Sequence, residues 1–278
     1  MAQRNVILSG IPRGGTTLTC YLANTLADCV ALNEPLDASR PLGEDVDENL
    51  EIIARFFEAQ RHLILTERRA NCRSQDRAPI TNVLLDKIDK DSGLRSGVVN
   101  TDDMVIDKKL DLNFILAAKH PVAFPPMLGA LAKTYPCVIT IRNPLAVILS
   151  WQNIHMNISN GRAPKAEKMQ PKLAALLDTI SDVHERQIEL MSWFFGQFKL
   201  VPEASILKYE DLVAQQATQL PAMIGSSDSL NYVTKSRNLL EQDHEKRDYF
   251  AAKLLKQGGH FMDFYTPSEI KALAAGVI

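Results

Sequence analysis

Short apolar runs recur along the chain, and each is closed by a polar or turn-forming cluster. Asn5 to Gly10 has the length of a buried strand and leads into a glycine-rich turn over Ile11 to Thr16. From Thr17 to Cys29, Leu18, Tyr21, Leu22, Thr25 and Leu26 return at helical spacing. Val30 to Leu32 predicts a second strand that ends at Asn33-Glu34-Pro35. Leu50, Ile53, Phe56, Phe57, Leu63 and Ile64 share a helical face within 49–66. Phe114 to Ala118 and Val138 to Ile141 predict two more strands, ending at Lys119-His120-Pro121 and Arg142-Asn143-Pro144. Helices are predicted over Met127 to Thr134 and Leu145 to Gln152, with Pro144 suited to a first turn that needs no backbone donor. A long helix is expected over 173–198, and a fifth strand over Ser205 to Leu207, ending at Lys208-Tyr209-Glu210-Asp211. Segments 68–100 and 159–171 are polar and read as irregular connection and surface loop.

Strands that alternate with helices predict an α/β fold, a parallel sheet with helices on both faces. The expected organisation is one domain over 1–278 with insertions near 36–100 and 153–200. In such sheets ligands gather at the carboxyl ends of the strands, and every polar cluster named above falls at such an end.

Composition narrows the field. Hydrophobic residues are 46% of the chain, enough for an ordinary core, and the formal net charge is −2. That balance offers no global basic field for nucleic acid, though it leaves room for a local basic pocket. No apolar stretch reaches the length of a membrane span, and Val6-Ile7-Leu8 is too short for a signal segment, so a cytoplasmic location is expected. The four cysteines form no C-x-x-C pair, and no His/Asp/Glu cluster has ligand spacing, so no metal is expected. Buried thiols are the expectation for them, a Cys20–Cys29 bridge the alternative.

The turn Gly10-Ile11-Pro12-Arg13-Gly14-Gly15-Thr16-Thr17 has the frame of a phosphate-binding loop between strand and helix. Its glycines let several backbone N–H groups converge on one anion, and the following helix N-terminus adds partial positive charge. A triphosphatase places Lys after the second loop glycine. Thr16 stands there instead, and Arg13 supplies a cation from within the loop.

The string Ser9 to Leu18 resembles the 5′-phosphosulfate loop of sulfotransferases, above all the Pro-Arg-Ser-Gly-Thr-Thr form of tyrosylprotein and carbohydrate enzymes, with Gly14 in place of the usual Ser. Val138 to Pro144 followed by Ser150 resembles the family's 3′-phosphate motif, and Lys208 to Leu212 is similar to its Tyr-Glu-Asp segment. The resemblance implies a P-loop-like sheet and 3′-phosphoadenosine-5′-phosphosulfate as co-substrate. It implies donor contacts from Gly10, Arg13, Gly14, Gly15, Thr16, Thr17, Arg142, Ser150 and Tyr209. Tyr209 would approach the adenine, or else pack under the sheet end. Lys256, before Gly258-Gly259, is loosely similar to a basic loop over the 3′-phosphate, and an ordinary glycine turn before a Thr266-Pro267 helix start is the alternative.

Two residues qualify as the base that deprotonates an acceptor hydroxyl or amine. Glu34 looks like the base of tyrosylprotein enzymes. His120 resembles the Lys-Thr-His segment of cytosolic small-molecule enzymes, without the Thr. Glu210 is expected to accept structural hydrogen bonds. The implied acceptor is a small molecule, carbohydrate or peptide, with Lys165, Lys168 and Lys172 suited to an anionic one. The competing functions are a P-loop kinase or NTPase that lacks the loop Lys, and a non-catalytic nucleotide-binding relative.

Overall fold

All five expected strands pair side by side into one parallel sheet. The computed structural model describes residues 4–36, 42–82, 84–88, 95–97, 101–233 and 244–277. The sheet contains β1 (Arg4–Gly10), β2 (Cys29–Asn33), β7 (Ile115–Lys119), β8 (Cys137–Ile141) and β9 (Ile206–Lys208), in the order β2-β7-β1-β8-β9. Neighbouring strands all run parallel. β1 lies at the centre, so the strand order reverses around its carboxyl end.

The near-continuous apolar runs follow from this position. Successive side chains of a strand point to opposite faces. Ile7, Val30, Leu116 and Ile139 enter the larger apolar cluster, while Val6, Leu8, Ala31, Ile115 and Val138 enter a second one. Both faces are covered, so neither tolerates alternation with polar residues.

Helix α1 (Thr16–Thr25) follows the glycine turn and packs on the smaller cluster. Its far end is held by Lys108, whose ammonium donates to the carbonyls of Asn24, Leu26 (3.0 Å) and Cys29 (2.6 Å). α2 (Val46–Glu67) starts earlier than the apolar face suggests, because Asp45 caps it by accepting from Asp47 and Glu48. α3 (Leu128–Thr134) and α4 (Pro144–Trp151) match their expected spans to within a residue.

Two expectations need correction. The single helix over 173–198 is instead α6 (Pro171–Asp178) and α7 (Val183–Phe198). Asp182 starts the second helix by accepting from the Glu185 N–H at 2.8 Å, a local bond that competes with continuing the first. The polar segment 159–171 is not a plain loop. It carries α5 (Pro164–Met169), whose start is tied by the Ala163 N–H to Glu167 at 2.6 Å.

The connection 68–100 is also more regular than expected. β3 (Arg69–Arg73) pairs antiparallel with β6 (Thr101–Val105), and β4 (Leu84–Ile88) with β5 (Arg95–Gly97). Parts of the expected loops at 37–41, 83, 89–94 and 98–100 lie outside the described residues. The chain continues through α8 (Tyr209–Ala214), α9 (Leu220–Met223), α10 (His244–Gln257) and α11 (Pro267–Ala274), the last opened by a Thr266–Glu269 capping box. All four cysteines are buried and unbridged. Among the described residues no helix is long and apolar enough to cross a membrane.

Candidate active site

The carboxyl ends of the sheet strands open into one cleft of about 570 Å³, a size suited to a nucleotide-scale ligand. Its lining draws Arg13 from the turn after β1, Thr16 and Thr17 from the start of the helix that follows, Glu34 from just past β2, Lys119 and His120 from the end of β7, Arg142 from just past β8 and Tyr209 from just past β9. Among the described residues six cationic side chains line it, namely Arg13, Arg73, Lys119, Arg142, Arg162 and Lys165, against the single carboxylate of Glu34. A chain of net charge −2 thus concentrates positive charge at one place.

The glycine turn is fixed from below. The Ile11 N–H donates to the Thr140 carbonyl at 3.1 Å, and the Trp151 indole N–H donates to the Pro12 carbonyl at 2.9 Å. Gly10 has φ +142°, and a Cβ there would lie 2.0 Å from the Thr140 oxygen. Gly15, at φ +100°, lies against the Tyr209 ring, which a Cβ would approach to 2.4 Å. Both positions therefore require glycine. Arg13 holds φ +70°, a left-handed conformation that costs an L-residue about 1–2 kcal/mol. Helix α1 begins at this turn with no acidic residue in its first turn and no side-chain cap, so its leading N–H groups face the cleft uncompensated.

Arg142 also meets Tyr209, its guanidinium 4.4 Å from the ring centroid. No carboxylate pairs with it among the described residues. Its backbone is locked by the next residue. The Asn143 N–H donates to Glu210 at 2.9 Å, and Asn143 Oδ1 caps α4 through the Leu145 N–H. Glu210 also accepts from the Tyr265 hydroxyl at 2.9 Å, the structural role expected of it. Tyr209 therefore packs under the sheet end and lines the cleft at once, so the two readings of this residue are compatible.

Sequence reasoning missed Lys119, a buried residue whose ammonium donates to Thr17 Oγ1 (3.3 Å), Asn33 Oδ1 (3.0 Å) and Glu34 Oε1 (3.0 Å). It ties the phosphate-type loop to the candidate base. The signal was present: a lysine closing an otherwise apolar strand must find partners when buried. Arg73, at the end of β3, pairs with the second Glu34 oxygen at 3.0 Å.

These contacts set the protonation of both candidate bases. Burial alone would raise the Glu34 carboxyl, but Lys119 and Arg73 overcome it and hold the pKa at about 2. Burial pushes the His120 imidazole down to about 3. Its Nε2 accepts the Leu36 N–H at 3.1 Å, so the neutral ring carries its proton on Nδ1. Each candidate is in its proton-accepting form at neutral pH. Glu34 is doubly ion-paired, and His120 has its lone pair occupied.

The imidazole leaves a mark on stability. Once unfolded it protonates near 6.5, so the unfolded chain binds the extra proton between about 3 and 6.5. Stability is then complete above about 6.5 and falls as the pH drops, by no more than about 1.4 kcal/mol per pH unit from this group. The Glu34 contribution is lost lower, from 4.5 toward about 2. His120→Asn is expected to flatten the dependence of urea-unfolding stability on pH between 4.5 and 6.5. An unchanged slope would show that the ring is not held neutral.

Four of the expected site residues are not among the lining residues: Gly10 and Gly14, which shape the turn itself, and Ser150 and Lys256. Ser150, assigned with Arg142 by resemblance, instead accepts from Arg13 Nε at 3.3 Å and does not line the cleft. It lies two turns along α4, which carries it toward the glycine turn. Lys256 is an exposed residue of the last turn of α10 and is not part of the lining. Gly258 after it, at φ +68°, closes α10 by donating to the Leu254 carbonyl, as the glycine-turn alternative expects. Among the described residues no group of His, Cys, Asp and Glu is placed to hold a metal ion.

No protein-family profile matches the chain, and no curated protein matches it. Among solved structures it is similar to sulfotransferase STF1 from Mycobacterium tuberculosis H37Rv, at 16% identity and a TM-score of 0.35, over 99% of this chain and 77% of that one. So loose a superposition carries no functional inference, and the chain's own side chains have to supply it.

Proposed function

We propose that the protein is a sulfotransferase that uses 3′-phosphoadenosine-5′-phosphosulfate and sulfates an acceptor hydroxyl or amine. One observation carries this reading. Two separate anion seats, the α1 turn with Arg13 and the Tyr209-backed Arg142, open into the same cleft. A nucleotide with phosphate at both ribose positions presents anions at both ends and fits such a pair. Thr16 stands where a triphosphatase needs Lys, and Glu34, the one carboxylate among the described lining residues, is tied to two cations rather than left to hold magnesium.

The co-substrate supplies the sulfuryl group and a bisphosphate leaving group. The chain does the rest by positioning and charge. The α1 N–H groups with Thr16 and Thr17 hold the 5′ end. Because Thr17 Oγ1 accepts from Lys119, its hydroxyl hydrogen is left to donate to the ligand. Arg142 holds the 3′-phosphate with a planar fork. Arg13 neutralises the charge that builds on the departing phosphate oxygen as its bond to sulfur breaks. Glu34 takes the proton of the acceptor, because His120 Nε2 is already occupied. A carboxylate held so low accepts only late, once the acceptor oxygen has bonded to sulfur and become strongly acidic.

Adenosine 3′,5′-bisphosphate at a hundred times its dissociation constant is expected to stabilise the protein by about 2.7 kcal/mol, seen as a raised thermal midpoint. ATP with magnesium at equal concentration should raise it far less. The reverse ranking would reassign the cleft to a nucleoside triphosphate. Bisphosphate binding without transfer to any acceptor in a broad sulfation screen would indicate a non-catalytic relative.

A further inference from the structure

The donor seats account for Arg13, Lys119 and Arg142. Three lining cations remain among the described residues: Arg73 from β3, and Arg162 and Lys165 from the segment after α4. They are not equivalent. Arg73 is neutralised by Glu34 at 3.0 Å. Arg162 bonds Glu167 at 3.0 Å and also Asp178. Lys165 has no acidic partner among the described residues, and its exposed side chain is one of those that line the cleft. The lining also includes apolar Pro121, Val122, Met156 and Ile158.

We propose that Lys165 selects the acceptor, and that the acceptor joins an apolar body to a carboxylate or similar anionic group placed beside the reacting hydroxyl. This rests on the sulfotransferase reading above. Lys168 and Lys172 do not line the cleft, so the selection falls on Lys165 alone. Helix α5, which carries Lys165 in its first turn, packs against the Pro125–Met127 turn that follows His120, and Gln170 just beyond the helix donates to the Pro126 carbonyl at 2.7 Å, which sets this helix beside the proton-accepting end. An acceptor anion seated there meets a cation that no carboxylate of the described residues has claimed. Glu34, the single carboxylate among the described lining residues, has both oxygens engaged and offers little repulsion.

The test uses the full chain saturated with adenosine 3′,5′-bisphosphate and reads ligand-observed NMR of a matched pair, 3-(2-hydroxyphenyl)propionate and its amide. The carboxylate is expected to bind about fivefold more tightly than the amide, the scale of one exposed ion pair. In Lys165→Ala the preference should vanish while affinity for the bisphosphate is unchanged. Equal or absent binding of the two probes to the native protein overturns the proposal, as does a preference that survives Lys165→Ala. A bisphosphate affinity that falls in Lys165→Ala would assign this lysine to the donor and also overturn it. Failure of the bisphosphate to bind the native protein at all would instead remove the sulfotransferase reading, and the two failures are distinct.

Discussion

Replacing Arg13 with alanine is expected to lower turnover at saturating donor by about 10²- to 10³-fold, the usual loss when one preorganised donor to developing charge is removed. The physical reason lies in the backbone as much as in the charge. Arg13 is held at φ +70° between Pro12, pinned by Trp151, and Gly14, whose N–H donates to the Ile11 carbonyl at 2.8 Å. Its Nε bond to Ser150 steers the guanidinium along the cleft floor. Strain of this kind persists only where surrounding structure over-determines it. Circular dichroism should show the variant folded, and single-turnover measurement separates the chemical step from binding. Turnover within about threefold of native would move the leaving-group charge to Lys119.

Arg142→Ala acts at the other seat and on another quantity. Loss of one partner of a desolvated charge pair costs about 2–4 kcal/mol, so the dissociation constant of adenosine 3′,5′-bisphosphate should rise roughly 30- to 1,000-fold by calorimetry. Adenosine 5′-phosphate, which lacks the 3′-phosphate, should bind native and variant alike. Arg142→Lys should recover only part of the affinity, because an ammonium cannot lie flat on Tyr209 and fork onto a phosphate together. Equal weakening of both nucleotides would mean that Arg142 serves the cleft's overall charge rather than a 3′-phosphate.

The sheet was legible because its strands are buried on both faces. Val6, Ile7 and Leu8 are all apolar for that reason, and no alternation has to be deciphered. The glycine turn was legible because Gly10 and Gly15 adopt backbone conformations that other residues resist. The side strands were not. In β3, Ala70 and Cys72 alternate with exposed Asn71, a signal only two residues deep, and its partner β6 lies about thirty residues on. The α6–α7 break carried no glycine or proline, only the Asp182 cap.

At the site, sequence placed Arg13, Thr16, Thr17, Glu34, His120, Arg142 and Tyr209 at strand ends, and all seven line the same cleft. Ser150 and Lys256 depended on the aim of a helix in space, which linear spacing does not encode. Lys119 was passed over because its neighbour His120 drew the attention due to a titratable ring. The three hydrogen bonds that reveal its role come from two other segments.

The lysine clasp on α1 has a bearing on how the nucleotide is received. Lys108 ties the last carbonyls of that helix to the strand that follows, while the glycine turn is bolted to β8 at the opposite tip. A rod fastened at both ends cannot recoil when an anion docks on its positive pole. Its peptide dipoles already point along the direction in which charge must be met. The ordering entropy of that receptor was spent during folding rather than at the encounter, which leaves more of the contact energy to appear as affinity.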